Sequence, residues 1–211
     1  MTVSMKETAD GPVAGDADWQ TFMDWPSRYI DPDRLDACFG GRLGRELCER
    51  LRGAHRLRER LSRIVTEHHA LAVPVPSASC DERDRAIALI PSERLCEIAR
   101  RSGAIYWARA IAGVVRAADV AVLHRELDEA LCTFALMHRD LAGTQPLSVI
   151  DGIGARCAED GLRCVAAWIR ELPEAVGQRV QLKLAVHPAI DTLPQPPFSD
   201  IGAAIIRRAA T

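Results

Sequence analysis

The sequence predicts a mainly α protein: a single globular multi-helix domain with a disordered N-terminal tail and a short extended segment near 179–186. Three observations carry this prediction. Aromatic residues make up only 5% of the chain against 48% apolar residues overall, so Leu, Ala, Ile and Val must fill the core. Apolar positions recur three and four apart through most of the chain, the spacing of one helix face. Finally, residues suited to helix ends, such as Asp31-Pro32 and Pro91-Ser92-Glu93, stand where those periodic runs begin.

Met1 to Asp18 lacks apolar periodicity and is rich in small and polar residues, so it cannot bury enough surface to offset its ordering entropy and is expected to be disordered. Order is expected from Trp19, with Phe22 and Met23 at helical spacing before Pro26 interrupts. Asp31 can cap a short helix through Phe39, with Pro32 at the first position, where a missing N–H costs nothing. After Gly40-Gly41, a stripe of Leu43, Leu47, Leu51, Leu57, Leu61, Ile64 and Val65 marks an amphipathic helix. Its other side carries eight arginines, but Glu46, Glu49 and Glu59 intervene, so it is expected to be a solvated, salt-bridged face.

Val73 to Ser79 contains two prolines that cannot donate backbone hydrogen bonds, which predicts a surface linker. The organisation expected is therefore a tail over 1–18, an N-terminal helical subdomain over 19–72, a linker over 73–80 and a main helical body over 81–211. Within that body a helix should start at Ser92, with Gly103 a place where it could bend or break. Asp119 should cap a single helix of about six turns carrying Val120, Leu123, Leu127, Leu131, Phe134 and Leu141. A further helical run, Leu147 to Leu172, ends at Pro173. Arg179 to Val186 alternates polar and apolar, the pattern of a half-buried strand, and Ser199 can cap a last short helix.

Composition excludes several function classes. The formal charge is −2, so no global field draws the chain to nucleic acid or to an anionic membrane. Its apolar runs are far shorter than the ~20 residues that span a bilayer, and Met1 to Asp18 has no secretory pattern, so a cytoplasmic protein without membrane insertion is expected. The seven cysteines form no CxxC pair or regular framework, which predicts free thiols in a reducing compartment.

Reactive motifs are equally sparse. His68-His69 with Cys80 is the nearest approach to a metal cluster, but adjacent histidines on a helix point to different faces, so no metal is expected. Cys157 and Cys164 share a helix face and are expected in the core. Asp151-Gly-Ile-Gly154 lacks the third glycine and the lysine of a phosphate loop. The paired carboxylates Asp128-Glu129 and Glu159-Asp160 are expected to be solvated. The expectation is a non-enzymatic protein with no catalytic residue, no cofactor and no small-molecule substrate.

Three stretches resemble a known family. Trp25 to Leu35 places Pro26, Tyr29, Ile30, Pro32 and Leu35 at the spacing of one of its N-terminal patterns, and Ala88-Leu-Ile-Pro91 followed by Leu95, Ile98, Gly103, Ile105 and Ile111 is similar to its short entry segment, proline and paired helices. Trp168 with the run Arg179 to Leu184 resembles its C-terminal region. The family is the SctK/YscK-type component of the sorting platform of bacterial type III secretion injectisomes, here of a Hrp-like branch. The resemblance implies an adaptor at the cytoplasmic face of the inner-membrane secretion apparatus. It would join the cytoplasmic forkhead-associated domain of the inner-membrane ring protein to the pod protein, and so to the ATPase complex. Interface anchors are commonly aromatic, which makes Trp25, Tyr29 and Trp107 the candidate partner-binding residues. The alternative is a small helical regulatory or chaperone-like binding protein unrelated to secretion.

Overall fold

A computed structural model describes residues 14–147 and 149–211, in which twelve α-helices and four short 3-10 turns follow one another with no strand among the described residues. The helices are α1 (Ala14–Asp24), α2 (Pro32–Ala37), α3 (Arg45–Gly53), α4 (Arg58–His68), α5 (Glu82–Leu89) and α6 (Ser92–Ala112). They continue with α7 (Ala117–Leu127), α8 (Glu129–Met137), α9 (Ile153–Glu171), α10 (Glu174–Leu182), α11 (Pro188–Asp191) and α12 (Phe198–Ala209). No described helix is long and apolar enough to cross a membrane. The protein is a mainly α single domain.

Helices α6, α9 and α12 form its centre, with α8 against α6, α7 against α8 and α9, and α10 and α11 against α9. Small residues let the central backbones meet. A Cβ on Gly103 would lie 1.7 Å from the Cys157 carbonyl oxygen, and one on Gly161 would lie 1.9 Å from that of Ala99. Only glycine fits at either position. Gly103 therefore leaves α6 unbroken from Ser92 to Ala112: the ~1 kcal/mol that glycine costs inside a helix is offset by close packing against α9. Cys157 and Cys164 line the same side of α9 with no exposure, as expected of core thiols, and burial pushes Cys157 up to about 12. All seven cysteines are free.

Two apolar clusters organise the molecule. The larger runs from Trp19, Phe22 and Met23 of α1 through the central helices to Ala209, and the smaller joins Ile30, Leu35, Cys48, Val65 and Leu182. The proline-rich segment crosses the surface beside α1, where Trp19 Nε1 donates to the Val75 carbonyl at 2.9 Å.

Several boundaries differ from the sequence expectations, each for a physical reason. Most of the expected tail, residues 1–13, lies outside the described residues, and its last five residues open α1. The Arg-rich helix is two helices, α3 and α4, separated after Gly53 by extended Ala54 and a 3-10 turn. The six-turn helix is also interrupted. Asp128 takes φ +62° and ψ 161°, and its carboxylate accepts from Leu131 N at 2.7 Å, so it ends α7 and caps α8. Its carboxylate is solvent-exposed, as expected, and also serves the backbone as this cap. The run from Leu147 becomes helical only at Ile153.

The extended segment near 179–186 is corrected outright, because Arg179 to Leu182 complete helix α10. Val180 packs into the larger cluster and Leu182 into the smaller. A helix covered on two sides buries residues two apart, which imitates the alternation of a strand.

Candidate functional site

The stretches Trp25–Leu35, Ala88–Ile111 and Arg179–Leu184 meet at one place. Asp31 caps α2 by accepting from Asp33 N at 2.9 Å, as its position before Pro32 predicts, while its own amide donates to the Leu182 carbonyl at 2.7 Å. From the end of α10, Lys183 sends its ammonium between α5 and α6, donating to the carbonyls of Ala88 at 2.5 Å and Ile90 at 2.9 Å. The same ammonium lies 4.8 Å from the Phe22 ring centre and 5.3 Å from that of Tyr29. Desolvation lowers its pKa to about 8. It forms the floor of a cleft of about 480 Å³ whose walls include Arg28, Tyr29, Ile90, Pro91 and Glu93.

Buried basic side chains clamp this region. Arg179, 1% exposed, donates to the carbonyls of Met23, Ala72 and Ala175 at 2.8, 3.0 and 2.9 Å, tying α1 and the segment after α4 to α10. Arg34 reaches the Leu184 carbonyl at 2.6 Å and pairs with Asp191 at 2.6 Å. One turn before Ala88 on α5, Asp84 accepts a two-pronged bond from Arg207, both arms 2.9 Å, and another from Trp168 Nε1 at 2.9 Å. Desolvation opposes ionisation of Asp84, but these donors outweigh it and hold the carboxyl below its usual range. Sequence reasoning missed Arg34, Arg179 and Lys183. Their one local signal is that the last two stand four apart beside Val176 and Val180, on a helix that the alternation disguised as a strand.

The three candidate aromatic residues occupy different environments. Trp25 is half-buried where α1 ends. Tyr29 is stacked on Phe22 at 5.1 Å, its hydroxyl donates to the Phe22 carbonyl at 2.7 Å, and it touches both apolar clusters. Trp107 is only 9% exposed, and its indole N–H donates to buried Asp160 at 2.9 Å. Asp160 is thus not the solvated carboxylate expected; desolvation raises its pKa even though it also accepts from Arg163. The structure brings Tyr29 to the cleft and leaves Trp107 outside it.

The glycine-rich turn before α9 is already occupied by the chain itself, since the Glu126 carboxylate accepts from Gly152 N at 3.0 Å and Gly154 N at 2.9 Å. Elsewhere, a depression of about 720 Å³ between the end of α6, the start of α7, Leu147 and the residues 149–151 leaves Val115 and Val149 largely exposed.

The histidine pair is also placed differently from the expectation. His68 and His69 have Cys38, not Cys80, as their neighbour, and the three ligand atoms lie within 4.8 Å of one another. Sequence reasoning missed Cys38 because it belongs to the end of α2, thirty positions before His68. No protein-family model, curated protein or solved structure matches this chain.

Proposed function

We propose that the protein is a non-enzymatic adaptor of a type III secretion sorting platform, binding the cytoplasmic forkhead-associated domain of the inner-membrane ring protein and the pod protein. One observation supports this reading above the others. Three stretches that resemble the SctK/YscK family, far apart in the chain, are direct neighbours: Asp31 bonds to Leu182, and Lys183 bonds to Ala88 and Ile90 while facing Tyr29. A chance likeness of short packing patterns would have no reason to converge on one cleft.

The cluster would act as a rigid corner. Arg179, Arg34 and Lys183 are satisfied largely by backbone carbonyls, so they fix the angle between α1, α2, α10 and the α5–α6 junction instead of serving a reaction. Of the three aromatic candidates, Trp25 and Tyr29 each keep part of their surface exposed, while Trp107 is buried in the scaffold. The Val115–Val149 depression, which sets two exposed valines among Arg109, Arg116, Asp119 and Asp151, offers a surface for the other partner of a bridge.

The test is capture of the purified ring-protein domain and pod protein by the tagged full chain, with Trp25→Ala and Val115→Asp as variants. Each variant should lose one partner by at least about 10-fold, an energy of about 1.4 kcal/mol, and keep the other. If neither purified partner binds the wild-type chain, the adaptor reading fails and the regulatory or chaperone-like alternative takes its place.

A further inference from the structure

We infer that Cys38, His68 and His69 form a binding site for a divalent transition-metal ion of the zinc class, which fastens the end of α2 to the end of α4. The three ligand atoms already lie within 4.8 Å of one another, although they come from two separate segments. A tetrahedral zinc ion with one thiolate and two imidazoles sets its ligand atoms about 3.4–3.6 Å apart, so closure requires a contraction of roughly 1 Å. His68 is exposed and its side chain is free to supply that movement.

The backbone that makes the cluster is unusual. Ala70 takes φ +48°, and Leu71 N closes back on the Thr66 carbonyl at 3.0 Å, the turn by which helices end and which normally carries glycine at this position. The helix ends at His69, whose amide still donates to the Val65 carbonyl at 3.0 Å, and the two consecutive histidine rings face one another edge to face at 4.9 Å. Strain of this kind, retained in a non-glycine residue, is characteristic of functional sites.

One buried ring atom makes no hydrogen bond of normal geometry. His69 Nε2 is buried and makes no hydrogen bond, although a buried polar atom left unsatisfied is costly. Beside it, the Cys38 thiol donates to the Arg34 carbonyl at 3.4 Å. A metal ion would satisfy His69 Nε2 and displace the thiol proton.

The donor set selects the ion. One thiolate and two imidazoles suit zinc, cobalt(II) or nickel(II) and do not suit calcium or magnesium, which require oxygen ligands. Water would complete the fourth position on the open side of His68. The role assigned is structural, since the ion would join two helix ends that bear on the smaller apolar cluster containing Leu35, Cys48 and Val65.

The experiment is titration of the reduced full chain with Co²⁺ and, separately, Zn²⁺, following thiolate-to-cobalt charge transfer, the cobalt d–d bands and thermal unfolding. One equivalent of Co²⁺ should bind with tetrahedral bands and a thiolate transition. Zinc at a 100-fold excess over its Kd should raise Tm by about 5–10 °C. His68→Ala, at an exposed position whose loss leaves the fold intact by circular dichroism, and Cys38→Ser should each weaken binding by ~100-fold or more, whereas Cys96→Ser at an exposed thiol should not change it. Binding without a thiolate transition, or binding that survives both His68→Ala and Cys38→Ser, would overturn the assignment.

Discussion

Lys183 shows at the level of a single residue how burial turns a charge into a pH-dependent quantity. Its amine has a folded pKa of about 8 against an ordinary value of 10.5, so above about pH 8 the unfolded chain binds more protons than the native one. Stability contributed at this position therefore rises with pH between about 8 and 10.5, at up to about 1.4 kcal/mol per pH unit. The difference in unfolding free energy between wild type and Lys183→Met should accordingly grow by about 3 kcal/mol across that window, measured by denaturant unfolding under reducing conditions. A difference that stays flat would mean the amine is not desolvated as described. Asp128 offers a second residue-scale test, since its φ of +62° and ψ of 161° belong to a region suited to glycine. Asp128→Gly removes the cap, which costs a few tenths of a kcal/mol, but relieves the strain, so a net gain of about 1 kcal/mol is expected. Asp128→Ala loses the cap and keeps the strain, and should destabilise by about 1 kcal/mol or more in the same measurement.

Between elements, the decisive contacts are backbone approaches and buried ion pairs. Gly103→Ala would force α6 and α9 apart, because the new Cβ would lie 1.7 Å from a main-chain carbonyl that cannot swing aside. A loss of about 3 kcal/mol or more is expected, visible as a lowered denaturation midpoint, whereas Gly53→Ala, where nothing lies within 4 Å, should be near neutral or stabilising. Asp84 joins α5 to α9 and α12 through Trp168 and Arg207. Asp84→Ala should cost about 2–3 kcal/mol, since it leaves the buried Trp168 indole N–H unpaired and takes one of two carboxylates from Arg207, which keeps Glu171 at 2.8 Å. Helix identity was legible at this scale wherever a helix buries one face, as Leu123 and Leu127 of α7 and Ile201 and Ile205 of α12 demonstrate. It was not legible in α10, which buries two, nor at the break between α7 and α8, where Asp128 changes the backbone direction while the apolar positions keep their spacing.

Across the whole molecule, one apolar cluster connects α1 to α12 and passes beneath the proline-rich segment. The protein should therefore unfold in a single transition, with tryptophan fluorescence and far-ultraviolet circular dichroism giving the same midpoint. Two separated midpoints would mean that residues before Val73 form an independently folding unit. Of the candidate site, the sequence made Tyr29 and its proline-flanked surroundings conspicuous, but it did not disclose that Lys183 faces Tyr29 or that Cys38 stands beside the two histidines.

The helical class, most of the core positions and the α2 cap are written in local sequence, because helix periodicity and capping are interactions among residues at most a few positions apart. The burial of Arg34, Arg179 and Lys183, the role of Gly103 as a contact instead of a bend, and the meeting of Cys38 with His68 and His69 arise from the packed fold. Each of these depends on a partner distant in the chain, and local pattern carries no information about which distant backbone will supply it.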